Sequence, residues 1–65
     1  MTADLTRTEQ EILALVAQGL SNREIGALRH VELETVKYHV SNILRKLEVS
    51  NRTAAAAAFL EGRAA

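Results

Sequence analysis

A chain of 65 residues with no cysteine is a single domain near the lower size limit for folding without staples. It carries neither a disulfide framework nor a thiolate metal site. With 3 glycines, no proline and a formal net charge of zero, it reads as an all-α, four-helix bundle-like domain rather than a β fold or a uniformly basic binder. No apolar stretch approaches the roughly 20 residues of a membrane span and no signal peptide is visible, so the cytoplasm is the expected location.

The charge is unevenly placed. Residues 1–34 carry Arg7, Arg23 and Arg29 against Asp4, Glu9, Glu11, Glu24, Glu32 and Glu34, a net of −3. Residues 35–65 carry Lys37, Arg45, Lys46, Arg52 and Arg63 against Glu48 and Glu61, a net of +3. The local field of such a dipole, more than its total charge, steers a charged partner.

In chain order, Thr6 followed by Glu9 is a capping box that opens a first helix running to about Gln18, where Gly19 can take the left-handed conformation that stops it. Ile12, Leu13 and Val16 form its apolar stripe, and Leu5 stands ahead of the cap as a staple. A second box, Ser21 with Glu24, opens a short helix through Ile25 and Leu28. After a break around His30 to Glu32, with Val31 plugging the core at the turn, a third helix covers about residues 33–47. Val36, Val40, Ile43, Leu44 and Leu47 share its apolar side. Ser50 or Asn51 caps a fourth helix containing Ala54–Ala58, Phe59 and Leu60, with Gly62 as its stop.

Consecutive alanines favour helix strongly but fill little volume. Two readings of that run stand: a thin cover for the core, or a face of small side chains that lets a second copy approach closely. In the second reading Ala54, Ala57, Ala58 and Leu60 form the interface. Phe59 and Leu60 point to different sides, so one serves the core and the other an interface.

Across residues 35–47 the side opposite the apolar stripe bears Tyr38, Ser41 and Arg45, flanked by Lys37 and Asn42, with His39 and Lys46 nearer the boundary and no acid. Such a row can read base edges in a major groove, which is wide enough for one helix. A solvated helix face has a broadly similar pattern. His39 also fits a packed boundary residue, and Tyr38 a half-buried surface aromatic. Arg52 near a helix start is unfavourable for the dipole and calls for an anionic partner, either Glu9 or Glu11 or a phosphate.

His30 and His39 lack companions for a zinc site, and no nucleophile constellation or phosphate-cradling glycine loop is present. Glu9 with Glu11, and Glu32 with Glu34, sit two apart and do not face each other on a helix. Neither an enzyme nor a cofactor or metal protein is expected.

The residues Leu5-Thr6, Glu9, Glu11-Ile12-Leu13, Gly19-Leu20-Ser21-Asn22-Arg23-Glu24-Ile25, Thr35-Val36-Lys37, His39-Val40, Asn42-Ile43-Leu44, Lys46-Leu47 and Val49-Ser50-Asn51-Arg52-Thr53 together resemble the LuxR-type helix-turn-helix DNA-binding domain. This is the output domain of quorum-sensing regulators and response regulators. The resemblance covers nearly the whole chain, in order and without gaps. It implies sequence-specific binding of double-stranded DNA and transcription regulation in the bacterial cytoplasm, associated with the nucleoid when on DNA. The third helix would enter the major groove and the fourth would form a homodimer. RNA polymerase is a further partner consistent with it, and no small-molecule ligand is expected in this domain.

By position, the resemblance implies base reading by Lys37, Tyr38 and Ser41, with Arg45 joining them from the same face. It implies phosphate contacts by Ser21, Asn22, Thr35, His39, Lys46 and Arg52. The chain departs from the family at Arg29, where a buried aliphatic residue is usual, so either Arg29 lays its stem over the core or the end of the second helix rotates to bury Leu28. It departs also at Glu32, where a small hydroxyl cap is common, and at Glu48, where glycine is common. These changes lower the expected intrinsic affinity without altering the fold. The competing reading is a helical interaction module that pairs through its alanine-rich helix without DNA, supported by the zero net charge. The sequence holds no receiver or ligand-binding domain, which fits a stand-alone regulator or an output domain whose sensor lies elsewhere.

Overall fold

Helix starts follow from side chains that satisfy the first free backbone amides. In the computed structural model, which describes residues 4–62, the helices are α1 (Arg7–Ala17), α2 (Asn22–Arg29), α3 (Leu33–Leu47) and α4 (Arg52–Leu60). Arg63, counted above in the charge of the second half, lies outside the described residues. The Glu9 amide donates to Thr6 Oγ1 at 3.1 Å while the Thr6 amide donates to Glu9 Oε1 at 2.9 Å. The second box is equally complete: the Glu24 amide reaches Ser21 Oγ at 3.1 Å and the Ser21 amide reaches Glu24 Oε1 at 2.7 Å. Of the two candidates for α4, Asn51 is the cap, accepting from the Ala54 amide at 2.8 Å. Glu32, ahead of α3, makes no side-chain cap bond. Its charge suits the helix dipole, but its longer side chain leaves the amides unserved.

The first three helices end in the same wrapped turn. Leu20 donates back to the Leu15 carbonyl at 3.2 Å, Val31 to Gly26 at 2.9 Å and Val49 to Leu44 at 3.0 Å. Each turn requires one left-handed residue. Gly19 supplies it after α1 with φ 94°, but His30 and Glu48 do so after α2 and α3, both with φ 58°. A residue with a Cβ meets the following carbonyl oxygen in that conformation, at a cost of roughly 1–2 kcal/mol.

Leu5, Ile12, Leu13, Val16, Ile25, Val36, Ile43 and Ala55 form the buried core, with Val31, Val40, Leu44, Leu47 and Phe59 packed against it. Fully burying each large aliphatic side chain contributes about 1.5–3 kcal/mol. α4 lies mainly against α1, and α2 against α3. Where α2 turns into α3 the backbone comes so close to Gly26 that a Cβ there would stand 2.7 Å from the Val31 carbonyl oxygen. Glycine at this buried position lets the turn between the two helices be tight.

Packing decides one open choice, in favour of an inward Arg29, and corrects one expectation. Leu28, read as part of the apolar side of the second helix, is 59% exposed. The next residue turns inward instead: the Arg29 guanidinium meets Glu11 Oε1 on α1 at 2.7 Å. A cation thus occupies the place where an aliphatic residue is usual, and it brings its own partner. Ala58, expected at an interface, is 1% exposed. It follows Ala55 by one helical turn and shares its inward face, so it is core. The outward row of α4 is Thr53, Ala57 and Leu60, with Ala54 beside it.

Replacing Glu48 with Gly removes the Cβ from a left-handed position and should stabilise the domain by about 1 kcal/mol. In a domain of this size that corresponds to a rise in Tm of roughly 4–8 °C. Thermal unfolding checks it, with Glu48→Ala, which keeps a Cβ, as the control expected to show no comparable gain.

Candidate nucleic-acid interface

The apolar stripe of α3 fixes which way its other side faces. Val36 and Ile43 are buried, with Val40, Leu44 and Leu47 half-buried beside them. Tyr38, Ser41 and Arg45 therefore stand outward on the opposite side, together with Lys37 and Thr35, and all five are exposed. The tyrosine ring packs edge-on against His39, with centroids 5.7 Å apart and an interplanar angle of 62°. His39 is half-buried as a boundary residue. Because the helix begins at Leu33, Glu34 is added to this outward row, four residues before Tyr38, so the exposed face is not free of acid. Glu34 Oε2 lies 3.2 Å from Lys37 Nζ. Arg45 Nη2 donates to Asn42 Oδ1 at 2.8 Å. Exposed pairs of this kind contribute little energy and do not tie the cations down.

Three of the expected phosphate contacts, Lys46, Arg52 and Asn22, have other work inside the fold. Lys46 Nζ donates to Glu9 Oε1 at 2.7 Å, the same oxygen that accepts the Thr6 amide. Glu9 is buried. Burial pushes its carboxyl up, but the hydrogen bond from Lys46, the Thr6 amide and the nearby positive charge outweigh that and hold it below the ordinary value of 4.5. Arg52 reaches across from the start of α4, donating through Nη1 to Asn22 Oδ1 at 2.6 Å and through Nη2 to the Leu20 carbonyl. Its partner is thus neither Glu9 nor Glu11 but the turn before α2 and the first residue of that helix. The α2 and α4 backbones do not touch, so this side chain spans the gap and fixes the start of α2.

Ser21 serves its capping box as an acceptor, which leaves the hydroxyl proton available for an anion. Hydrogen bonds from Arg29 and Arg7 hold the Glu11 carboxyl below its ordinary value, and the Ser21 amide does the same for Glu24. None of the long-range ties at Glu9, Glu11 or Arg52 was read from the sequence. Their partners are distant in the chain, and the one available hint was the boundary position of Lys46 beside an acid-rich α1.

Among the described residues no group of three or more His, Cys, Asp or Glu is placed to hold a metal ion. No helix among them is long and apolar enough to cross a membrane.

Two helices joined by a tight turn, the second seated on the core and showing a polar row outward, define a helix-turn-helix domain. The family model described as bacterial regulatory proteins, luxR family, matches residues 3–59, and the chain belongs to that family. It is similar to the response regulator protein VraR of Staphylococcus aureus and of Staphylococcus epidermidis, with 59% identity over 51 residues in each case. That match covers 78% of this chain and 24% of the relative, so the chain spans about a quarter of the length of the curated relatives it matches. Among solved structures it is similar to the response regulator ChrA of a heme-sensing two-component system, at TM-score 0.86 and 43% identity, covering 97% of this chain and 31% of that one. It is also similar to the transcription factor GerE, at TM-score 0.79 and 32% identity, covering 94% of this chain and 92% of that one. The class that fold and family define is that of helix-turn-helix domains of bacterial regulatory proteins.

Replacing Lys46 with Met should destabilise the fold by about 1–3 kcal/mol at pH 7, because a buried carboxylate loses its cation. The folded Glu9 carboxyl titrates below 4.5, so the stabilisation is present above that pH and is lost as acid protonates the group. The gap between variant and parent should therefore narrow below about pH 4.5, which urea unfolding across pH will show. A gap independent of pH would mean that Lys46 acts only through its packing.

Proposed function

We propose that this chain binds double-stranded DNA sequence-specifically as the output domain of a transcription regulator, with α3 in the major groove and α4 pairing two copies. The observation that carries the reading is the outward row on α3. Lys37, Tyr38, Ser41 and Arg45 are exposed on a helix whose other side is locked into the core. Base edges are read by such donors and acceptors. Thr35 and His39 flank the row, and with Ser21 at the start of α2 they suit phosphate oxygens. Lys46, Asn22 and Arg52 serve this face chiefly by holding its two helices in place, through Glu9 and the turn before α2. Contact between RNA polymerase and the DNA-bound pair belongs to the same proposal.

An electrophoretic shift with mixed duplexes at two salt concentrations tests the reading. Binding that weakens with salt and favours some sequences supports it. Absence of any shift at low salt would favour an interaction module that needs no DNA. Lys37→Ala should cost on the order of 1–3 kcal/mol in binding to a preferred site if Lys37 meets a base. Unchanged affinity, with helicity intact by circular dichroism, would remove Lys37 from the base-reading set.

A single copy with few free cations binds DNA weakly, and linking two half-site contacts raises the overall affinity. The outward row of α4 suits that role, since Leu60 is 73% exposed and Ala54 and Ala57 are small. Ala57→Glu or Leu60→Glu should keep the affinity for one half-site and lose the advantage of an inverted pair. If both folded variants retain that advantage, the copies pair through another surface.

A further inference from the structure

The first turn of α3 places an acid where the DNA-binding reading, on which this inference rests, expects base readers. Glu34 stands on the same outward row as Tyr38, Ser41 and Arg45, at spacings of four, seven and eleven residues, so all four side chains leave one side of the helix. Its side chain is 80% exposed, and its carboxylate sits 3.2 Å from Lys37 Nζ. Residues at the start of a recognition helix are the ones that reach base edges. A carboxylate carried into a groove walled by phosphates is repelled unless a hydrogen-bond donor on the groove floor meets it.

The donors on that floor are the amino groups of cytosine and adenine. The Glu34–Lys37 couple offers an acceptor and a donor side by side. A cytosine–guanine pair offers the complement, the cytosine amino group beside guanine O6, about one hydrogen-bond length of 2.9 Å apart. The observed 3.2 Å between the two side chains matches that spacing. An adenine–thymine pair also sets a donor beside an acceptor. There, however, the lysine would meet a single oxygen next to the thymine methyl instead of the O6 and N7 acceptors of guanine.

We infer that Glu34 is a specificity-determining residue that accepts a hydrogen bond from a cytosine amino group, while Lys37 donates to the guanine of the same base pair. The ion pair seen on the free surface is the preformed reading head for one cytosine–guanine position in each half-site.

Selection of duplexes from a random pool by the full chain, compared with Glu34→Ala and Glu34→Gln, tests this. The parent should select a motif containing a fixed cytosine–guanine pair. Glu34→Ala should keep the rest of the motif and lose roughly tenfold in preference at that one pair. Glu34→Gln should shift the same position toward adenine, because an amide pairs with the adenine amino group and N7. If Glu34→Ala selects the parental motif unchanged and binds every sequence more tightly, Glu34 only repels phosphates and the inference is overturned while DNA binding stands. If the parent selects no motif at all, the DNA-binding reading fails, and this inference with it. Because Glu34 is exposed and outside the core, loss of folding in either variant would itself contradict the position assigned to it.

Discussion

A single carboxylate oxygen of a buried residue joins the start of α1 to the end of α3. Glu9 Oε1 accepts the amide that opens α1 and the ammonium group near the end of α3. A carboxylate in that position is tolerated only because it is both hydrogen-bonded and paired. The consequence is geometric. α3 must lie where Lys46 can reach Glu9, with its apolar stripe turned toward Ile12 and Leu13. The outward row is thereby aimed away from the core, as a nucleic-acid interface requires.

The cations of the chain divide along the same line. Lys46 serves Glu9, Arg29 serves Glu11 and Arg52 serves the turn before α2, while Arg7 pairs only loosely with Glu11 from an exposed position. Lys37 and Arg45 stay on the outer face of α3 with partners that water and salt loosen, and Arg23 is exposed on α2. A domain of zero net charge that commits three of its eight basic residues to its own fold has fewer left for unspecific attraction to phosphates. On the proposed DNA-binding reading, binding then rests on base contacts and on the pairing of two copies, and that dependence favours selectivity.

Backbone strain falls at the same joints. His30 and Glu48 close α2 and α3 in a conformation that glycine adopts freely. Between them the chain passes within reach of Gly26, where no side chain fits. The turn between the two helices is thus set by one missing Cβ and one Cβ held in an unfavourable place. Both lie in the segment that fixes how α3 is presented.

Features that depend on neighbours three to five residues apart were legible in the chain itself. Both capping boxes, the pair of candidate caps for α4, the end at Gly19 and the apolar stripe of α3 all express contacts within one or two turns of helix. The helix count and the outward placement of Tyr38, Ser41 and Arg45 followed from that periodicity. The partners of Lys46, Arg52 and Arg29 were decided only by the tertiary structure, since they lie on other helices, and a charge in a sequence does not say which distant group it meets. Of the two readings open at the end of the second helix, an inward Arg29 or a buried Leu28, packing chose the first, because a half-buried arginine is acceptable once Glu11 stands opposite it. The run Ala54–Ala58 is uniform in composition, so no hydrophobic contrast distinguishes Ala57 from Ala58. Packing against α1 turned Ala58 inward and left Ala57 outward, a distinction that five identical side chains cannot encode.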